Sequence, residues 1–100
     1  MKLLTKEIKE KLPKLYVQED KGDDAIVHIK FFTPWSNWTW FILEGEETDE
    51  GEWLFFALVD GFEKEFGYVS LKELESLKGP GGLGVERDKF WEPKRVGDIK

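Results

Sequence analysis

"WTWFILE", residues 38–44, decides the fold. Extended, it points Trp38, Trp40 and Ile42 one way and Thr39, Phe41 and Leu43 the other, because side chains alternate along a strand. A strand that is apolar on both faces belongs in the middle of a sheet. "WLFFALVD", 53–60, has the same character. The polar "EGEETDEGE" of 44–52 between them reads as a solvated hairpin loop, so the two runs predict the centre of an antiparallel sheet.

On the N-terminal side, "IVHIKFF", 26–32, alternates with Val27, Ile29 and Phe31 on one face. The following "TPWSN" breaks the strand, since Pro34 cannot donate to a ladder. Thr5 suits a helix N-cap, Glu7 suits the positive helix end, and Ile8 and Leu12 repeat at i, i+4 before Pro13 stops the helix. Residues 17–24 read as a polar loop. On the C-terminal side, Asp60-Gly61 is a turn signal and "FEKEFGYVS" a fourth strand, in which Gly67 marks a bulge or a close contact. Ser70 and Glu73 form a capping box ahead of Leu71, Leu74 and Leu77, and "GPGG", 79–82, ends that helix. A short strand or turn is expected around 83–91. The prediction is an α+β fold: an antiparallel sheet of about four strands with two short helices, residues 1–100 forming a single domain. Two short helices can roof only one face. Loops and the C-terminal tail must cover the other, or leave it partly open.

Composition narrows the function. The chain has 100 residues, 40% of them hydrophobic and 15% aromatic, which is too apolar for disorder and enough for one core. Fifteen Lys and Arg against 21 Asp and Glu give a net charge of −6. That sign opposes general binding to nucleic-acid backbones and is too modest for a DNA mimic. The absence of cysteine rules out thiolate chemistry and fits a reducing, cytoplasmic setting. No apolar run approaches the ~20 residues of a membrane span, and no signal peptide is read at the N-terminus.

Four segments, "KLLTKEIKEKLPKLY" (2–16), "KFFTPWSNWTWF" (30–41), "DGFEKEFGYVSLKELE" (60–75) and "GVERDKFWEPK" (84–94), together resemble one family of small bacterial proteins catalogued only as a domain of unknown function. The resemblance covers nearly the whole chain. It departs at Phe41, where that family commonly carries tyrosine. It implies a single domain and a setting on plasmids, phages or integrative elements, and it brings no activity, cofactor or catalytic residue.

The residues leave three functional readings. Trp35, Trp38 and Trp40 can be core, which is preferred, or a platform for bases or peptides; at least one indole of the block is expected at the surface. Arg87, Asp88 and Trp91 sit in a segment of weak structural preference, as a structural ion pair or as a recognition site, with Arg87 suited to carboxylate or phosphate. The first reading is therefore a non-catalytic domain binding a protein partner through Trp35, Trp38, Trp40, Arg87, Asp88 and Trp91. The second is a single-stranded nucleic-acid binder that uses Arg87, Lys89, Lys94 and Arg95 as a local basic patch. The third is an enzyme with Asp60, Glu86 or Asp88 as acid or base. His28, the only histidine, reads as a solvated strand residue. The acidic loop does not match a calcium loop, "GPGGLG" lacks the features of a phosphate loop, and no cofactor or metal site is read.

Overall fold

A computed structural model describes residues 2–100. Helix α1, Lys6–Lys11, starts where Thr5 accepts a hydrogen bond from the Ile8 amide at 3.2 Å. Helix α2, Leu71–Ser76, starts at Ser70, whose hydroxyl accepts from the Glu73 amide while the Glu73 carboxylate accepts from the Ser70 amide. Both caps satisfy amide groups that a helix start leaves without partners. The strands are β1 (Ile26–Val27), β2 (Ile29–Phe32), β3 (Thr39–Glu47), β4 (Trp53–Asp60), β5 (Lys64–Ser70), β6 (Glu86–Arg87) and β7 (Lys94–Arg95). Five of them form one antiparallel sheet in the order β5-β4-β3-β2-β6, and β1 pairs with β7 in a separate ribbon. β3 and β4 are central, as their doubly apolar pattern requires. The Cα radius of gyration, 13.0 Å, is that of a compact chain of this length.

Each face of the sheet has its own core. On the first face, α1, α2 and residues Leu3, Leu4 and Val85 cover Ile29, Phe31, Trp40, Ile42, Phe55, Ala57 and Val69. On the second, Ala25, Val27, Val96, Trp91 and Ile99 cover Phe41, Leu43, Phe56 and Leu58. Among the described residues no α-helix lies on this side, only the single-turn 3-10 helices Gly22–Asp24 and Val96–Asp98. It is roofed by the 14–25 segment, the β1–β7 ribbon and the tail, as the shortage of helices predicts.

Three local expectations are corrected. First, 26–32 is not one strand. The chain leaves the sheet at His28, whose amide donates to the Ile42 carbonyl at 2.9 Å. Val27 therefore packs in the second core while Ile29 and Phe31 pack in the first. Secondly, Gly67 marks neither a bulge nor a close contact: the β4–β5 register is continuous through it and a Cβ there would meet nothing within 4 Å. The bulge lies in β3, where Ile42 pairs with Ala57 but Glu44 pairs with Phe56, leaving Leu43 as the extra residue. Thirdly, the acidic stretch is not all loop. β3 runs on to Glu47, and only 48–52 turn, closed by the Thr48 amide donating to the Glu52 carbonyl at 2.7 Å. Because a bulge puts two successive side chains on one face, Glu44 follows Leu43 into the second layer and is 97% shielded from solvent, with only 3% exposed.

Glycines make room for two of the tryptophans. A Cβ at Gly79 would overlap the Trp35 indole and one at Gly61 the Trp38 indole, so each ring lies flat on bare backbone. Among the described residues, no helix is long and apolar enough to cross a membrane.

Candidate functional site

The six residues singled out in the sequence do not form one site. Trp40 is 5% exposed and belongs to the first core; it has no surface to offer. Trp38 packs 6.0 Å from Trp40 and edge-on to Phe62 at 5.5 Å, and both Trp38 and Trp35 are half-buried against that core. Trp91 lies on the other side of the sheet, with the second core. Its indole N–H donates to the Val27 carbonyl at 3.1 Å, its ring packs 5.7 Å from Phe41, and the Lys94 ammonium stands 4.8 Å from the ring centre.

Arg87 and Asp88 bracket the end of β6. The Arg87 guanidinium donates to the main-chain carbonyls of Lys2 and Leu3 at 2.7 and 3.0 Å, tying the N-terminal segment to the sheet edge. Asp88 accepts from the Phe90 amide at 2.9 Å and stands 4.0 Å from the Lys30 ammonium. An ion pair at that distance and partial exposure contributes little, about 0–1 kcal/mol. A cleft of about 620 Å³ separates this segment from α1, with His28, Arg87, Asp88 and Trp91 on its walls. Burial lowers the His28 imidazole below its ordinary 6.5. The unfolded chain therefore takes up the proton first as pH falls. The contribution of His28 to stability should be complete above pH 6.5 and decline below it. The stability difference between wild type and His28→Asn, measured by urea unfolding from pH 8 to 5.5, checks this; a difference independent of pH refutes it.

Of the carboxylates proposed for acid or base work, Glu86 and Asp88 line one shallow surface depression, and Asp60 stands apart from them. Asp60 pairs with Thr39, Thr39 with Phe32, and Phe32 with Glu86. Asp60 and Glu86 are therefore three strand spacings apart, roughly 14 Å, too far to share a reacting group. Among the described residues, no cluster of three or more His, Asp or Glu side chains is placed to hold a metal ion.

A different set of residues converges. On the second face, toward the β5 edge, Phe56 stacks on Phe66 with centroids 5.7 Å apart and packs against Tyr68 at 5.2 Å. The alternation of Phe66 and Tyr68 along β5 puts both on this face. Opposite them stands Tyr16. Together they wall a groove of about 270 Å³ with Leu43 and Glu44 at its base and Glu19 among its lining residues.

The base is rigidly built. The Glu44 carboxylate accepts from the Tyr16 amide at 2.8 Å through Oε1 and from the Gln18 amide at 2.6 Å through Oε2. Glu46 accepts from the Leu15 amide at 2.8 Å. The buried Gln18 amide donates to the carbonyls of Ile26 and Leu43 and accepts from the Ile26 amide, filling the gap that the bulge opens between β1 and β3.

Tyr16 has φ 73°, the left-handed region that a bulky side chain avoids. That conformation costs about 1–2 kcal/mol, and the Glu44 clamp on the Tyr16 and Gln18 amides holds it in place. Tyr16→Gly should therefore leave the thermal midpoint unchanged or raise it, by up to about 1 kcal/mol of stability, while removing one wall of the groove. A clear loss of stability in thermal unfolding would refute this account. The Tyr68 hydroxyl is held above its ordinary 10.0, first by its hydrogen bond with Tyr16, then by partial burial, then by negative charge on Tyr16, Glu44 and Glu19.

The sequence reading missed this groove. Its signal was the alternation of Phe66 and Tyr68, opposite Leu58 and Phe56, on a strand otherwise rich in charge. No curated protein and no solved structure matches the chain. Residues 3–96 match the family described as "Protein of unknown function (DUF2958)", and the chain belongs to that family.

Proposed function

We propose that this chain is a non-catalytic interaction domain, and that an extended segment of a protein partner lies along β5 over the aromatic strip of Phe56, Phe66 and Tyr68. The observation that supports this reading is the coincidence of exposed rings with an unpaired strand edge. Phe66 and Tyr68 are 46% and 51% exposed, and β5 ends the sheet order. An edge strand presents a row of unused N–H and C=O groups, which proteins commonly shield with charge. Glu63, Lys64 and Glu65 shield the start of β5, whereas Phe66 to Val69 carry no charge. A strand added there would take its affinity from main-chain hydrogen bonds and its specificity from side chains alternating into the groove.

Single-stranded nucleic acid is the second reading. Phe90 favours it, 91% exposed beside Lys89. The arrangement of the neighbouring cations weighs against it: Arg95 is committed to Asp24 and Asp98 at 2.9 and 3.2 Å, and Trp91 is flanked by Phe41 and Lys94. An enzyme ranks last: Asp60 is remote from Glu86, and Asp88 is engaged by the Phe90 amide and Lys30. The setting is part of the proposal: the bacterial cytoplasm of a cell carrying a mobile element, supported by the resemblance and by a cysteine-free sequence.

Selection from a random-peptide library, followed by anisotropy titration of the enriched peptides, tests the protein-binding reading. The expected result is micromolar binding that a Phe66→Ala/Tyr68→Ala variant loses and that main-chain N-methylation of the peptide abolishes. No enrichment, or equal binding by the variant, would sink it. Binding of labelled oligonucleotides at low salt, lost in Phe90→Ala, would move the function to the second reading.

A further inference from the structure

We infer that the groove beside β5 accepts a basic side chain, a lysine ammonium or an arginine guanidinium, from the segment proposed above to lie along that strand. This inference rests on that reading and adds the chemistry of the residue recognised. Three observations carry it.

The first is shape. A volume of about 270 Å³ lies below the roughly 300–1,000 Å³ of small-molecule sites. It suits one side chain entering from an extended segment.

The second is the wall. Tyr16, Phe56, Phe66 and Tyr68 line the groove together, and aromatic faces attract cations through their quadrupoles, more strongly as the cation loses water. Tyr16 and Tyr68 are 61% and 51% exposed, so their rings stand open to an incoming group.

The third is charge. Glu44 is almost wholly buried at the base, and among the described residues no lysine, arginine or histidine forms an ion pair with it. Two main-chain amides stabilise its carboxylate and leave it without a cationic partner. A buried charge without a counter-ion is costly, and a cation in the groove would reduce that cost. Glu19 adds a second carboxylate, and no basic residue lines the groove. An acidic occupant would be repelled by these carboxylates, and a neutral one would gain less from them than a cation.

The test uses the intact protein and two probes, the Nα-acetyl methylamide of lysine and its Nε-acetylated counterpart, followed through the ring-proton NMR signals of Tyr16, Phe66 and Tyr68. The expected result is saturable shifts with the lysine probe at millimolar concentration, and none with the acetylated one. Glu19→Gln should weaken the lysine probe about twofold to fivefold, and Phe66→Ala about fivefold or more, both in proteins whose near-ultraviolet circular dichroism shows an intact fold. Equal shifts from both probes would overturn the inference about charge while leaving the protein-binding reading standing. Shifts from neither would overturn it too, and peptide selection would then judge the broader reading by itself.

Discussion

Glu44→Ala is expected to destabilise the protein by about 2–5 kcal/mol. The substitution leaves the Tyr16 and Gln18 amides, bonded to Glu44 at 2.8 and 2.6 Å, without acceptors, and an orphaned buried donor costs about 1–3 kcal/mol. Two effects oppose this loss. Removing Glu44 also removes the desolvation cost of a buried charge, and water entering the groove can reach the Tyr16 amide, which is only partly buried. Water has less access to the Gln18 amide, which is buried, so the net sign stays destabilising. Glu44→Gln, which keeps one acceptor oxygen, should fall between wild type and Glu44→Ala. Glu46→Ala removes a single, partly buried bond and should cost about 0.5–1.5 kcal/mol. Urea unfolding of the three variants checks the order. Amide exchange at Tyr16 and Gln18 should quicken in Glu44→Ala alone. If Glu44→Ala proved no costlier than Glu46→Ala, the clamp would not have the role assigned to it.

Gly45→Val should cost about 3 kcal/mol, the upper end of the usual penalty for overpacking. Local preference points the other way. Glycine weakens strand interiors and valine is among the best strand residues, with a spread of about 1 kcal/mol between extremes. Packing decides against it. A Cβ at Gly45 would stand 2.8 Å from the Phe55 ring and 3.2 Å from Leu12. Phe55 is fully buried and lies edge-on to Phe31 at 5.8 Å, with Trp53 on another side at 6.4 Å. The ring therefore has no empty space to turn into. With roughly 4–8 °C of midpoint per kcal/mol for a domain of this size, thermal unfolding should shift downward by about 12–24 °C. A midpoint at or above that of wild type would mean that strand propensity outweighs the overlap.

The comparison of Gly45 with Gly67 shows where sequence reasoning reaches its limit. Both are strand glycines, and the sequence nominated Gly67 as the special one. In the structure Gly67 faces open space and Gly45 faces a buried ring. Nothing local separates them, because the atoms that crowd Gly45 belong to Leu12 and Phe55, 33 and 10 residues away. The acidic stretch teaches the same lesson. Read locally, Glu44 opens a solvated loop. The bulge at Leu43 turns it inward, and its partners come from residues 28 and 26 positions away in the chain. The aromatic block divides similarly. Its apolar content marked a core, and Trp40 is in it, but which indoles stay half-open depends on where Gly61 and Gly79 meet them.

The sequence by itself determined both helices, the antiparallel pairing of two doubly apolar strands, and the shortage of helix for the second face. These follow from capping groups three residues apart and from side chains alternating every two residues, so they are settled within a few turns of chain. Only the tertiary structure decided that a carboxylate would face inward and that the opening would fall beside β5 rather than at the tryptophans. The tail, anchored through Trp91 to Val27, roofs one end of the second face and stops short of the other, and that limit is set by contacts between segments far apart in the chain.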